Sequence, residues 1–241
     1  MEGARETPPV ELLRVTDLHA FYGDSHILHG MDLTVRRGEL VTLLGRNGSG
    51  RTTTLKAILG LVERRTGSVM MNGRETIRMA PHQIVHLGIG YCPEERGIFA
   101  SLSAEENLLL LPVVGSGGMP LAELYRMFPN LVERRRTQGT RLSGGEQQML
   151  AVARILRIGA RLLLLDEITE GLAPVIVKTL GQVVRTLKER GFTLVLVEQN
   201  FRFAAPLADR HYLVEHGRVV DVVTRDDLPA SQEKLQRYLG V

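Results

Sequence analysis

Three short segments of this 241-residue chain carry groups suited to handling phosphate. Gly45-Arg46-Asn47-Gly48-Ser49-Gly50-Arg51-Thr52 fits the spacing GxxxxGK[ST], except that Arg51 stands where the pattern has lysine. Glycines at this spacing let successive backbone N–H groups wrap an anion where a helix begins. Thr52 would place its hydroxyl on a divalent cation, and Thr53 would add a phosphate contact. Arg51 keeps a positive charge for the phosphates, but on a longer, planar, forked group rather than a compact ammonium. Further along, Leu162-Leu163-Leu164-Leu165 leads into Asp166-Glu167, a buried strand delivering two carboxylates to its C-terminal edge. Ligands of open parallel sheets bind at that edge. Between these two segments lies Leu142-Ser143-Gly144-Gly145-Glu146-Gln147-Gln148, where Ser143 fits a helix N-cap and Glu146 its capping-box partner.

The intervening pattern supplies elements to position these groups. Leu12–Leu18 and Met31–Val35 read as strands of an antiparallel region, turning near Gly23-Asp24. Glu39–Leu44 is a β-prone run ending at Gly45, and Thr52–Leu61 has helical character, giving strand, glycine loop, helix. Ser68–Met71 and Gly88–Cys92 are further strands. From Ser103 to about Thr140 the pattern is helical, broken at Gly115–Pro120, and is read as an inserted helical subdomain. Strand Arg161–Leu165, helix Val175–Lys188 and strand Thr193–Val197 keep a βαβ rhythm, which argues for a parallel sheet. His211–Glu215 and Arg218–Val223 form a hairpin about His216-Gly217, and a helix Gln232–Leu239 closes the chain.

The glycine loop, the Ser-Gly-Gly-Glu-Gln-Gln run and the Asp-Glu strand end, in this order, resemble the nucleotide-binding subunit of ABC transporters. The resemblance implies an α/β fold: a P-loop NTPase core with an antiparallel β subdomain and an inserted α-helical subdomain. It implies one ABC ATPase domain over 1–241, with core and β subdomain at 10–95 and 160–241 and the helical subdomain at 96–158. It also implies ATP and Mg²⁺. Gly45, Arg46, Asn47, Gly48, Ser49, Gly50, Arg51, Thr52 and Thr53 would hold the phosphates, and Tyr22 would stack on adenine. Thr52, Asp166 and Glu94 would serve the metal, Asp166 through water or a second-sphere contact. Glu167 would polarise the attacking water. Glu94 stands where a γ-phosphate-sensing glutamine is common, and Gln199 where a switch histidine is common. Ile168 replaces a usual proline and Ala173 a usual aspartate. In the family, Ser143, Gly144 and Gly145 cover the γ-phosphate held by the opposing subunit, which implies a head-to-tail homo- or heterodimer around two ATP molecules.

Pro93-Glu94-Glu95-Arg96-Gly97-Ile98-Phe99, Val197-Glu198-Gln199-Asn200, Glu170-Gly171-Leu172-Ala173-Pro174 and the closing Tyr238-Leu239-Gly240-Val241 narrow the resemblance. They are similar to the second ATPase subunit of branched-chain amino-acid (Liv-type) importers, and related urea and short-amide importers share much of this pattern. The expected partners are integral-membrane permease subunits, a second ATPase subunit and, indirectly, a periplasmic substrate-binding protein. Arg96–Phe99 is the expected patch for a permease helix. A subunit that binds ATP but hydrolyses it poorly, because of Arg51, is the main alternative.

Composition narrows the field further. Hydrophobic residues make up 44%, enough for a sizeable core. The longest apolar run, Leu108–Leu111 continuing to Val114, is far short of a bilayer span. Met1–Pro9 lacks an apolar stretch, so neither a membrane helix nor a signal peptide is expected. The chain is expected in the cytoplasm, peripheral to the inner membrane through its permease. The single Cys92 excludes an internal disulfide and reads as a small buried hydrophobe. Net charge is only +3, with basic residues interleaved with acids, so no nucleic-acid partner is expected. A soluble ABC ATPase acting on DNA, ribosomes or iron–sulfur clusters lacks support from a second cassette, coiled coil, cysteine cluster or basic tail.

Overall fold

The computed structural model describes residues 10–114, 117–231, 235 and 238. Among the described residues ten strands follow in chain order: β1 (Glu11–Tyr22), β2 (Ser25–Arg36), β3 (Leu40–Leu44), β4 (Arg64–Met71), β5 (Arg74–Glu75), β6 (Ile89–Cys92), β7 (Leu162–Asp166), β8 (Thr193–Val197), β9 (Arg210–Glu215) and β10 (Arg218–Thr224). They form two sheets. The smaller is antiparallel, in the order β2-β1-β4-β5. The larger runs β10-β9-β3-β8-β7-β6, parallel from β9 to β6, with β10 added as an antiparallel hairpin partner.

Every residue of β3, β7 and β8 is buried, so these strands need cover on both faces. Strand alternation divides them. Leu163, Leu165, Leu194 and Leu196 pack with the helical segments, around Leu124, Phe128, Leu131, Leu150 and Val184. Leu162, Leu164, Val195 and Val197 pack with the antiparallel sheet and the first helix, around Leu13, Leu18, Val35 and Leu55. The sheet therefore separates two cores that share no side chain.

The helices are α1 (Arg51–Ile58), α2 (Pro81–Val85), α3 (Ala104–Leu109), α4 (Leu121–Met127), α5 (Pro129–Glu133), α6 (Gly144–Arg157), α7 (Pro174–Glu189) and α8 (Phe201–Ala204). The C-terminus of α1 is closed by Arg65, whose guanidinium donates to the Ala57 and Ile58 carbonyls and, at 2.9 Å each, to those of Thr76 and Met79. Orphan carbonyls at a helix end are thus satisfied from the neighbouring strand. At the start of α6, Ser143 Oγ accepts from the Glu146 N–H at 3.3 Å and Glu146 Oε2 accepts from the Ser143 N–H at 2.7 Å. Ser103 and Glu106 repeat this capping box at α3.

Several expectations need adjustment. β1 and β2 run twelve residues each, well beyond Leu12–Leu18 and Met31–Val35. Register shifts along β1 break the apolar alternation that would have revealed them. The helical pattern broken at Gly115–Pro120 takes the form of α3 before the break and α4 and α5 after it, followed by a 3₁₀ turn at Gly139–Arg141, with Pro129 starting a new helix directly after α4. α2 and α8 were not foreseen, although Asn200 Oδ1 caps α8 by accepting from the Phe203 N–H at 3.2 Å. The expected Gln232–Leu239 helix lies outside the described residues except Leu235 and Tyr238; Leu235 is buried in the helical-side core. Cys92 is buried, as expected. Among the described residues no helix is long and apolar enough to cross a membrane.

One polar pair lies inside the sheet. His211 on β9 is fully buried opposite Thr42 on β3, with Nδ1 2.7 Å from the threonine hydroxyl and Nε2 buried without a partner. Burial, with Arg225 adding to it, pushes the imidazole down to about 4. Because the folded value lies below the unfolded one, the stability is complete above about pH 6.5. It is lost as pH falls towards 4, by roughly 3 kcal/mol over that window. Urea unfolding at about pH 7.5 and pH 5 should show the native chain losing more stability on acidification than His211→Gln. Equal losses would remove His211 from this role.

Candidate active site

The glycine loop connects β3 to α1, as the strand–loop–helix pattern requires. Gly50 has φ +104°, and a Cβ there would meet Leu28 Cδ2 at 2.9 Å, so the turn into α1 needs glycine. The Ser49 carbonyl accepts from the Gly217 N–H at 2.8 Å, tying the loop to the β9–β10 turn. The Ser49 hydroxyl is buried without a partner. A cradle with open amides and an orphaned hydroxyl at a helix N-terminus fits phosphate.

These groups face a cavity of about 430 Å³. Asn47, Gly48, Ser49, Gly50, Arg51, Thr52 and Thr53 line it, together with Tyr22, Ile27, Glu94, Glu167, Glu170 and Gln199. Gly45 and Arg46 do not line it, and Asp166 lies buried beneath it. Ser143, Gly144 and Gly145 are absent from its walls, so one chain does not bring the α6 N-terminus onto its own phosphate loop.

Arg51 is only 4% exposed and is held by three segments. Its guanidinium donates to Glu167 Oε1 at 2.9 Å, to the Glu198 carbonyl at 2.9 Å and to Asn47 Oδ1 at 3.3 Å. Burial lowers its pKa, while Glu167 works to raise it. To serve a phosphate, the guanidinium must exchange some of these partners. Lysine could not make all three bonds in one plane.

Glu167 takes φ +46°, a left-handed conformation rare outside glycine. Gln199 Nε2 donates to its Oε2 at 2.9 Å. Burial and a hydrogen bond shared with Glu170 raise the Glu167 pKa against the opposing pull of Arg51. Asp166 Oδ1 accepts from the Thr52 hydroxyl and Oδ2 from the Tyr91 hydroxyl, each at 3.0 Å. Burial lifts Asp166 above the ordinary aspartate value despite both bonds. Glu94, Glu167 and Glu170 have carboxylate oxygens within 4.8 Å of one another, and burial followed by the charge of Glu170 raises the Glu94 pKa. This oxygen-rich donor set, beside the Thr52 hydroxyl and Asp166, suits a hard cation such as Mg²⁺.

Three residues with roles here were not singled out from the sequence. Glu198, 2% exposed, accepts from the Thr169 N–H at 3.1 Å and from its hydroxyl at 2.8 Å. It thereby anchors the loop after Glu167 while its carbonyl holds Arg51. Burial pushes its carboxyl up to about 7. Tyr91 and Glu170 are the other two. A charged residue directly after the apolar run Thr193–Val197 was the available signal for Glu198.

A family model described as ABC transporter matches residues 28–170. The chain belongs to the ABC transporter ATPase family. It is 36% identical over 238 residues to the high-affinity branched-chain amino acid transport ATP-binding protein BraG of Pseudomonas aeruginosa, covering 95% of this chain and 100% of the relative. It is 30% identical to the lipopolysaccharide export system ATP-binding protein LptB of Haemophilus influenzae, covering 96% and 98%. A solved ATP-binding subunit of an ABC transporter superposes with TM-score 0.79 at 28% identity, over 95% of this chain and 100% of that one. This ABC cassette is accordingly an ATPase subunit of a transporter, with the fold expected from its motifs.

The Glu198 anchor predicts a separable effect. Thr169→Val leaves a buried carboxylate oxygen without its hydroxyl donor and should cost about 1–3 kcal/mol in unfolding free energy. ATP affinity should stay within about threefold, since Thr169 does not line the cavity. Paired denaturation and nucleotide-binding measurements check this, and an unchanged stability would refute it.

Proposed function

We propose that this chain powers an importer of branched-chain amino acids, binding and hydrolysing ATP at the cytoplasmic face of the inner membrane. The observation that carries the proposal is the bonding of two residues of one glycine-walled cavity, Arg51 to Glu167 in its wall and Thr52 to Asp166 beneath it. The likeness to BraG supports the class of solute. The reading divides the chain into a core with β subdomain at 10–95 and 160–241 and a helical subdomain at 96–158.

In this reading, loop amides and the Ser49 hydroxyl receive the phosphates while Tyr22 stacks on adenine. Arg51 moves from Glu167 towards the γ-phosphate, which frees the carboxylate as the phosphate takes up the positive charge. Gln199 holds Glu167 in place to orient water, whose oxygen bonds to the γ-phosphorus as the bond to the β–γ bridging oxygen breaks and ADP departs. Thr52, Asp166 and Glu94 would hold Mg²⁺, which supplies charge neutralisation at the phosphates. Ser143, Gly144 and Gly145 close over the γ-phosphate bound by a second ATPase subunit, head to tail. Closure is transmitted to permease subunits, which are fed by a periplasmic substrate-binding protein.

A groove of about 270 Å³ supports the permease contact. Pro93, Arg96, Gly97, Leu111, Arg154 and Ile158 line it, between the sheet and the helical segments. Arg154 crosses it, donating to the Gly97 carbonyl with its guanidinium 4.8 Å from the centroid of the half-exposed Phe99 ring.

A second reading is favoured by the same Arg51 contact: a subunit that binds ATP but hydrolyses it poorly because Arg51 stays with Glu167. Mg-ATP turnover and nucleotide binding by the purified chain, beside Arg51→Lys and Glu167→Gln, separate the two. The proposal expects turnover in the native chain, a loss of about a hundredfold or more in Glu167→Gln, and retained binding. Binding without turnover, restored by Arg51→Lys, would establish the second reading. Radiolabelled leucine uptake by cells carrying the intact transporter tests the solute, and uptake of urea instead would reassign it.

A further inference from the structure

The β1–β2 hairpin, whose Tyr22 and Ile27 line the nucleotide cavity, also gathers three imidazoles. His19 Nδ1 and His26 Nε2 are 3.0 Å apart, and the His29 ring centroid lies 4.0 Å from that of His26. His19 Nε2 contacts Asp17 Oδ1 at 3.1 Å. In the neutral imidazole, a ring N–H given to the Asp17 carboxylate at Nε2 leaves the Nδ1 lone pair on the His26 side.

The surroundings hold this arrangement. Asp17 takes φ +47°, and its N–H donates to Asp32 Oδ1 at 2.9 Å. Gly30 faces the pair with φ +94°; a Cβ there would lie 2.9 Å from Asp17 Oδ1 and 3.9 Å from His19 Nε2. Any other residue at 30 would press on the carboxylate. The His26 ring is stacked on Phe21 at 4.2 Å and 13°, and Phe21 in turn carries the Arg64 guanidinium at 3.9 Å.

A carboxylate bonded to the far nitrogen of an imidazole is the arrangement that orients histidines on metals and fixes their tautomer. Two nitrogens each about 2.0–2.1 Å from one shared ion sit roughly 3 Å from each other. The His19–His26 spacing matches that separation. We propose that His19 Nδ1 and His26 Nε2 bind a divalent transition metal of the zinc, copper or nickel class, with Asp17 as the positioning carboxylate. On binding, the proton of His26 Nε2 passes to solvent, the ion sits off the line joining the two nitrogens, and water completes its coordination. Imidazole donors favour these ions over Mg²⁺, so the site is chemically separate from the oxygen-rich nucleotide cavity. It clamps the two strands of the hairpin next to Tyr22, and the backbone N–H of His29 ties the same hairpin to the β9–β10 turn by donating to the Gly217 carbonyl at 3.0 Å.

The test uses the full chain without a polyhistidine tag, titrated with ZnCl₂ in a calorimeter without nucleotide. One Zn²⁺ per chain is expected, with proton release. His26→Gln should weaken binding by more than about tenfold and Asp17→Asn by about tenfold. Basal ATP turnover without zinc should be the same in His26→Gln as in the native chain. Electron paramagnetic resonance of the native chain with Cu²⁺ should show two coupled nitrogens, a readout independent of whether the variants fold. No zinc binding, binding indifferent to His26→Gln, binding removed by Glu170→Gln instead, or a copper spectrum without nitrogen coupling would each overturn the proposal.

Discussion

A buried guanidinium is the constraint around which this candidate site is arranged. Arg51 is almost wholly enclosed, and a buried charge is tolerable only when paired and hydrogen-bonded. Its partners come from the phosphate loop (Asn47), the end of β7 (Glu167) and the residue after β8 (Glu198). Three neighbouring segments of the parallel sheet edge are therefore tied through one side chain. Glu167 is bound from the other side by Gln199, and Glu198 secures Thr169, so the positions of the loops depend on one another. Removing one member leaves the others with unmet polar groups rather than with a single lost bond.

The aspartate beside it follows a different logic. Asp166 lies beneath the cavity with both oxygens engaged, by Thr52 from the loop and Tyr91 from β6. Its neighbours Glu94, Glu167 and Glu170 crowd like charges together, and burial raises the pKa of each acid for which a shift is resolved. Such a collection is held ready for compensation by positive charge. Arg51 supplies part of it.

Much of this was legible in the sequence because the relevant signals are local. The glycine loop, the capping box at Ser143 and Glu146, and the apolar run before Asp166 depend on residues a few positions apart, and the structure forms each as read. The Gly23-Asp24 turn was equally plain. What escaped depends on tertiary pairing. The full lengths of β1 and β2 are hidden by bulges and by the partly buried polar residues His19 on β1 and His26 and His29 on β2. The partners of Arg51 could not be read, since the contact to Glu167 spans 116 positions. Glu198 and Tyr91 gain importance only when β6, β7 and β8 lie side by side.

The division of the large sheet into two separate cores also limits how such a chain can change over time. Neighbouring leucines of β7 belong to different packing partners: Leu162 and Leu164 to the antiparallel sheet, Leu163 and Leu165 to the helices. A single-residue insertion or deletion within β7 would exchange both sets at once and turn Asp166 and Glu167 to the opposite sides. Loops outside the strand can lengthen or shorten without that penalty. In a lineage of such proteins, length variation should accumulate in the connections, while the central strands drift only by substitution, each face at its own pace.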